Sequence, residues 1–187
     1  VIAWPKFDWA LLIGTILVSI IIMQGWAMQP KVLIGVVFAA LAVGHLIRVV
    51  RWYDAGIWRV PLLWSLHLAN AWLAVACVAM ALWHFSMLAN MSIAVHALTV
   101  GAMGGLILAM IARVTLGHTG RQLQPPKSMT WAFILFNIGT LARVVVVDWA
   151  YFPGLWIAAV CWGLSFAMYL WSYAPMLWQA RVDGQPG

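Results

Sequence analysis

Long hydrophobic runs separated by short polar stretches dominate the chain. Six of these runs have about the 20 mostly apolar residues that a membrane-spanning helix needs. They cover residues 8–28, 32–50, 61–84, 92–116, 129–148 and 153–177. None alternates apolar and polar positions as a barrel strand does, and open sheet edges are not tolerated in lipid. The pattern therefore predicts six transmembrane helices, and the short connections predict that consecutive helices are antiparallel neighbours.

Composition strengthens this prediction, because 66% of the residues are hydrophobic and only 7% are charged. A soluble domain of this size could not bury so much apolar surface. We therefore expect an all-α integral membrane protein, a bundle of six transmembrane helices that forms a single domain over residues 1–187. The chain has no glutamate, and its four aspartates lie at or near the ends of apolar runs. A hydrolase with paired carboxylates is therefore not expected.

The basic residues are distributed unevenly between the two sides of the predicted bundle. The side with the N-terminus carries eight of them, Lys6, Arg48, Arg51, Arg59, Arg113, Arg121, Lys127 and Arg181. The opposite side carries only Lys31 and Arg143. The positive-inside rule then predicts that both termini are cytoplasmic. The net charge of +6 is explained by membrane topology, and no nucleic-acid partner is expected.

Five histidines fall at the ends of the predicted spans. His45 and His67 lie on the order of 8 Å inside the cytoplasmic side, on consecutive antiparallel helices. His118 follows the fourth span on that side. His84 and His96 lie near the opposite side. The histidines therefore gather at both ends of the bundle.

A basic side chain near a helix end can simply extend to the lipid headgroups. For His84 and Arg51 this is our first interpretation. His67 and His96 are harder to explain in that way, because ionisable residues within a membrane are costly and usually functional. Arg143 is predicted to lie at a depth similar to that of His96.

Neutral imidazoles within a helical bundle suit a transition metal, and haem is the best precedent. Haem b needs a histidine at its iron, small residues beside its plane and arginines for its propionates. The cytoplasmic side offers these groups in His45, His67, Gly44, Arg48 and Arg51. Equal depth favours the pairing of His45 with His67 and argues against a direct pair of His67 and His96.

A second candidate set lies on the other side and includes His96 and Arg143. Gly101 and Gly105 on the same span form a Gly-x-x-x-Gly pair, which allows another backbone to approach closely. Two uses remain open for these glycines, either tight helix packing or space for a planar cofactor.

Two stretches carry a resemblance to a known family. They are PLLWSLHLANAW, from residue 61, and HALTVGAMGGLILAMIARVTLGHTGR, from residue 96. Together they resemble the NnrS family of bacterial inner-membrane proteins, which is associated with the nitric-oxide response and described as containing haem and copper. The resemblance is strong over residues 59–121 and general elsewhere. Members of that family are about twice as long, so the chain resembles their C-terminal half.

The resemblance implies roles for particular residues. It implies that His67 and His96 are metal ligands. It also implies that Arg113 and Arg121 bind propionates or stabilise the Gly-His-Thr-Gly-Arg turn. For His118 two roles are open, either binding copper or pinning this turn by hydrogen bonds.

The function expected from these features is a haem-binding membrane redox protein, with copper as an open second metal. It would bind nitric oxide or transfer electrons in the bacterial inner membrane, and whether it is an oxidoreductase stays open. The alternative is a non-catalytic accessory subunit of a respiratory complex. A small transporter is the weakest hypothesis, because the sequence shows no repeat pair. Beyond the lipid bilayer, the partners expected are a second copy of the chain or a larger respiratory assembly.

Overall fold

A computed structural model describes residues 4–185, and this part of the chain is helical without any strand. Six helices are long and apolar enough to cross a membrane, which confirms the predicted fold class. They are α1 Pro5–Met23, α2 Val32–Arg51, α3 Pro61–His84, α4 Ser92–His118, α5 Lys127–Trp149 and α6 Tyr151–Leu177. A short 3₁₀ helix, Ala55–Arg59, connects α2 to α3. The bundle is therefore built from six consecutive spans.

The first helix differs from the predicted range of 8–28. It begins earlier because Pro5 takes the first helical position, where a missing N–H costs nothing. It ends earlier because Gly25 adopts a left-handed conformation, with φ of 75°. The Trp26 N–H then donates to the Ile21 carbonyl at 3.2 Å, which closes the helix end. The remaining five spans match their predicted ranges to within two residues at each end.

Helix α3 lies at the centre of the bundle and packs against α2, α4 and α5. Helix α1 packs on α2, where the Leu11 side chain lies against Gly44. Helix α6 packs mainly on α5. Only 11% of the α1 span and 17% of the α6 span are buried, so these two apolar helices form the outer faces. We expect both faces to contact lipid or another membrane protein.

Two helices depart from regular α-helical geometry. Helix α4 continues as a π-helix over Ala97–Gly104, directly after His96. Helix α5 contains a second π-helix over Ala142–Val146, which includes Arg143. The wider turns of π-helices are frequent at functional sites. Residues His96 and Arg143 therefore stand at the two irregular points of the bundle.

Tyr173 on α6 is fully buried, and its hydroxyl has no hydrogen-bond partner within residues 4–185. We expect Tyr173→Phe to raise the free energy of unfolding by about 0.5–1 kcal/mol, because it removes a buried polar group without a partner. The measurement is unfolding of the purified protein in detergent, followed by circular dichroism.

The neighbouring Tyr169 provides a matched control. Its ring stacks on that of Tyr173 with centroids 4.9 Å apart, but its hydroxyl lies 3.0 Å from Thr115 Oγ1. Tyr169→Phe removes this hydrogen bond and should lower stability by a similar amount. If Tyr173→Phe destabilises the protein as much as Tyr169→Phe, the hydroxyl of Tyr173 has a partner and the prediction is wrong.

Candidate cofactor site

A groove opens beside α3 at the end of the bundle that is predicted to be cytoplasmic. We call it the His67 groove, and its lining consists of Trp52, Ile57, Leu63, Leu66, His67 and Asn70. Its volume is about 410 Å³, within the range of small-molecule sites. Four of its six lining residues are apolar or aromatic, so the walls favour a largely apolar ligand.

A guanidinium is fixed beside this groove. Arg48 Nη2 donates to Asn70 Oδ1 at 3.0 Å, which joins α2 to α3. The same guanidinium lies 4.6 Å from the ring centroid of Trp52, a favourable cation–π distance. Arg48 is not itself a lining residue, but its contacts with the lining residues Asn70 and Trp52 place its positive charge beside the groove, where it could bind an anionic ligand group.

The His67 imidazole is half-buried and lines the groove. Its ring centroid is 6.1 Å from that of Tyr53. Within the described part of the chain, no hydrogen bond engages its ring nitrogens. Asn70 lies three residues further along α3 and therefore on the same helix face. His67 is thus a histidine whose nitrogen can bind a ligand without breaking an existing bond.

His45 has different surroundings, although it lies at a similar predicted depth. It is only 4% exposed, and its Nε2 is 3.3 Å from Thr15 Oγ1 on α1. The Thr15 hydroxyl itself donates to the Leu11 carbonyl at 2.8 Å, so His45 Nε2 is the donor to Thr15. The imidazole therefore ties α2 to α1, and the pairing of His45 with His67 stays a prediction.

Arg51 lies where the end of α2 meets the start of α1. Its guanidinium carbon is 4.0 Å from the ring centroid of Trp4 and 5.6 Å from that of Phe7. These contacts place its charge over two aromatic faces. Arg51 does not belong to the lining of the His67 groove.

At the opposite end of the bundle, His96 and Arg143 are directly bonded. Arg143 Nη2 donates to His96 Nε2 at 2.6 Å, which confirms the predicted similar depth of the two residues. An arginine can only donate, so this nitrogen of His96 accepts. His96 Nδ1 then carries the proton and donates to the Ser92 carbonyl at 2.7 Å. Both ring nitrogens are engaged, so a metal would have to displace Arg143.

The Gly-x-x-x-Gly pair faces α3. A Cβ at Gly101 would lie 2.6 Å from the Trp72 ring, and one at Gly105 would lie 3.2 Å from Ala69 Cβ. Trp72 is held in place because its indole N–H donates to Asn137 Oδ1 at 3.0 Å. The space opposite Gly101 is therefore filled by an indole, and tight helix packing accounts for both glycines. A role for them in cofactor binding stays a prediction.

The prediction that the His84 side chain extends to the lipid headgroups is wrong. It is 1% exposed, and its Nδ1 accepts the Lys31 backbone N–H at 3.1 Å. Its ring lies 5.7 Å from that of Phe38 and nearly parallel to it. The residue anchors the start of α2 to the end of α3, a role that residue counting along one helix could not reveal.

The histidines do not converge on a single point. Across residues 4–185, no three side chains of histidine, cysteine, aspartate or glutamate come close enough together to hold a metal ion.

Comparison with known families identifies the chain. The sequence model described as NnrS protein matches residues 1–181. The chain belongs to the NnrS family. The match confirms the resemblance and extends it from residues 59–121 to nearly the whole sequence. No curated protein and no solved structure was found to match the chain. Family membership and the six apolar helices together indicate a multi-pass membrane protein.

The Gly-His-Thr-Gly-Arg motif of this NnrS chain ends helix α4. Gly120 adopts φ of 71°, which favours glycine. The Arg121 N–H donates to the Leu116 carbonyl at 2.9 Å, and the Gly120 N–H donates to the Gly117 carbonyl at 3.2 Å. These two bonds form a Schellman motif, the common end of an α-helix. The turn therefore has a structural role that requires no metal.

The side chains of this turn have separate surroundings. The His118 imidazole is exposed and lines a shallow groove of about 340 Å³ together with Arg113. Arg121 Nη2 donates to Gln179 Oε1 at 2.9 Å, which joins the turn to the segment that follows α6. Copper binding by His118 and propionate binding by Arg113 and Arg121 stay predictions.

The C-terminal segment docks on the same turn. The Val182 N–H donates to the Thr119 carbonyl at 3.2 Å, and Arg181 Nη1 donates to the His118 carbonyl at 3.1 Å. Arg181 also pairs with Asp183, with Nη2 2.6 Å from Oδ2. A Cβ at Gly120 would lie 2.6 Å from the Asp183 carboxyl carbon, so the glycine makes room for this carboxylate.

This docking should depend on pH. The hydrogen bond from Arg181 lowers the pKa of Asp183 from 3.8 to about 2. A lowered carboxyl pKa stabilises the docked state above pH 3.8, and that contribution is lost as the pH falls through about 2. We expect amide hydrogen exchange at Val182, corrected for its intrinsic rate, to rise between these two values. The rise should be modest, because solvent screens an exposed pair.

The Asp183→Asn variant is the control for this titration. It should show raised exchange at neutral pH and no further change on acidification. Protection at Val182 that persists at pH values well below 2 in the unmodified chain would contradict the assignment.

Proposed function

We propose that this NnrS-family chain is a haem-binding membrane protein that captures nitric oxide at the His67 groove. The observation that carries the proposal is the His67 imidazole, which lines an apolar groove without a hydrogen bond to any residue among 4–185. The association of the NnrS family with haem, copper and the nitric-oxide response supports it.

The residues of the groove fit haem b in three respects. His67 supplies an imidazole nitrogen of the kind that binds haem iron. Arg48 supplies a guanidinium for a propionate, already oriented by Asn70 and Trp52. The apolar residues Ile57, Leu63 and Leu66 supply walls that suit the apolar ring of haem. We therefore assign His67 as the first ligand, ahead of His45 and His96, whose nitrogens hold existing bonds.

The arrangement favours gas binding over electron transfer. Haem held by a single histidine would suit gas binding, whereas haems that transfer electrons usually have two protein ligands. One imidazole lines the groove, and His45 is turned towards α1. Nitric oxide is small and apolar, so it can reach the groove through the bilayer. Arg48 would balance the charge of a propionate.

A second function is favoured by a different observation. His45, His84 and His96 all form hydrogen bonds within the bundle, as structural residues do. The largely exposed apolar faces of α1 and α6 offer surface for a homodimer or a larger respiratory assembly. These features support an accessory subunit of a respiratory complex in the bacterial inner membrane. The excess of basic residues on one side supports cytoplasmic termini for either function.

A visible spectrum of the purified full chain separates the two functions. The chain is expressed with haem supply, extracted in mild detergent and measured oxidised, reduced and reduced with nitric oxide. Haem binding predicts sharp reduced-minus-oxidised bands that shift when nitric oxide is added. A colourless protein with intact helicity by circular dichroism would refute haem binding and favour the accessory function. Metal analysis of the same sample tests for copper.

A further inference from the structure

Arg143 carries a positive charge within the membrane span at the end opposite to the His67 groove. It lies six residues before the end of α5 at Trp149, a depth of about 9 Å. Its side chain is half-buried. The single ion pair among residues 4–185 is Arg181 with Asp183, so no carboxylate in this part of the chain pairs with Arg143. Such a charge is costly in lipid and indicates a function.

His96 does not balance this charge. Its Nε2 accepts from Arg143, and its Nδ1 donates to Ser92, so the imidazole is neutral. The hydrogen bond satisfies one N–H of the guanidinium and fixes its orientation. A guanidinium has five N–H donors, and the others remain available to an anionic ligand.

A second groove lies directly beside Arg143, and we call it the Arg143 groove. Its lining consists of Val100, Arg143, Leu155, Ala158, Ala159 and Trp162. Five of these six residues are apolar or aromatic. Its volume is about 210 Å³. That space suits a phosphate group and the start of an acyl chain.

The direction of the groove points to a lipid. Leu155 lies about 6 Å from the start of α6, and Trp162 lies about 16 Å from it. The groove therefore runs inward from the headgroup level between α6 and the residues Val100 on α4 and Arg143 on α5. Trp162 is 46% exposed, so the groove opens sideways towards the bilayer. A charged group near one end and an apolar wall along the rest match the two parts of a phospholipid.

We propose that the Arg143 groove is a binding site for the phosphate group of a phospholipid, with an acyl chain along α6. Guanidinium and phosphate form paired, charge-assisted hydrogen bonds. The lipid phosphate would supply the negative charge that the protein does not provide. Arg143 lies within the π-helix Ala142–Val146, and His96 directly precedes the π-helix Ala97–Gly104. The proposal does not depend on haem binding at the His67 groove.

The test is lipid binding by the delipidated full chain in detergent micelles. Phosphatidylglycerol is titrated in, and bound lipid is counted by native mass spectrometry. A diacylglycerol with the same acyl chains but no phosphate is the ligand control. Arg143→Gln removes the charge, and Arg59→Gln is the matched control because Arg59 is exposed at the other end. Ala159→Phe is a second test variant, which fills the groove from an exposed position without changing any charge.

We expect the unmodified chain and Arg59→Gln to bind phosphatidylglycerol in preference to the diacylglycerol. Arg143→Gln and Ala159→Phe should each weaken this binding by at least about tenfold. Equal binding by all four proteins, or equal affinity for the diacylglycerol, would overturn the proposal. If inorganic phosphate displaces the lipid and stabilises the chain by itself, the ligand is the free anion and the lipid assignment is wrong.

Discussion

The His67→Ala variant is expected to lose at least about tenfold in haem affinity, equivalent to about 1.4 kcal/mol. The change removes the imidazole that lines the His67 groove without a bond to the rest of the described chain. The helices should stay intact, because His67 is half-buried and anchors no neighbouring helix by a hydrogen bond. The measurement is the haem-to-protein ratio of the purified variant, with circular dichroism as the test of folding.

His96→Ala is the matched control for this variant. It removes an imidazole at the opposite end of the bundle, where Arg143 already occupies the nitrogen. We expect the haem-to-protein ratio of His96→Ala to equal that of the unmodified chain. Loss of haem in His96→Ala but not in His67→Ala would move the cofactor to the other side and refute the assignment of His67.

Gly154→Ala should be the most destabilising of the single glycine substitutions. Only Ala150 separates α5 from α6, so the two helices meet closely at this corner. A Cβ at Gly154 would lie 2.7 Å from the Val147 backbone N and 2.9 Å from its Cα. Backbone atoms cannot rotate away, so the helices must separate. We expect a loss of about 2–3 kcal/mol in unfolding free energy, measured by chemical unfolding in detergent.

Gly163→Ala tests the same substitution on the same helix without the close contact. No atom outside the local turn of its own helix, among the described residues, lies within 4 Å of the Cβ that this change would add. Alanine is favoured over glycine within a helix by about 0.5–1 kcal/mol, so this variant should be neutral or more stable. If both variants lose the same stability, the close approach at Val147 does not explain the effect.

The six spans could be predicted from sequence because a helix that crosses a membrane must be both long and apolar. Pro61 and His84 bound α3 in the structure as they do in the hydrophobic pattern. The first span was placed too late because its ends depend on Pro5 and Gly25, which are local backbone signals within an apolar region. Hydropathy therefore locates a helix, whereas local backbone chemistry fixes its ends.

The candidate site was predicted only in part, because depth along a helix says nothing about direction around it. His45 and His67 lie at similar depth, yet His45 contacts Thr15 on α1 while His67 lines a groove beside α3. These spans are apolar on nearly every side, so no polar face indicates which way a side chain points. The closeness of His96 and Arg143 was easier to anticipate, because the sequence places both polar side chains at a similar depth in the bundle.

The π-helix in α4 gives this helix room for one residue beyond regular α-helical winding. A π-helical turn holds one residue more than an α-helical turn, so the extra residue is taken up within the turn and the flanking segments keep their relative orientation. Deleting one residue between Ala97 and Gly104 would therefore restore α-helical winding and leave His96 facing Arg143. Natural variants of this chain that differ in length by one residue here would thus present the same imidazole to the guanidinium.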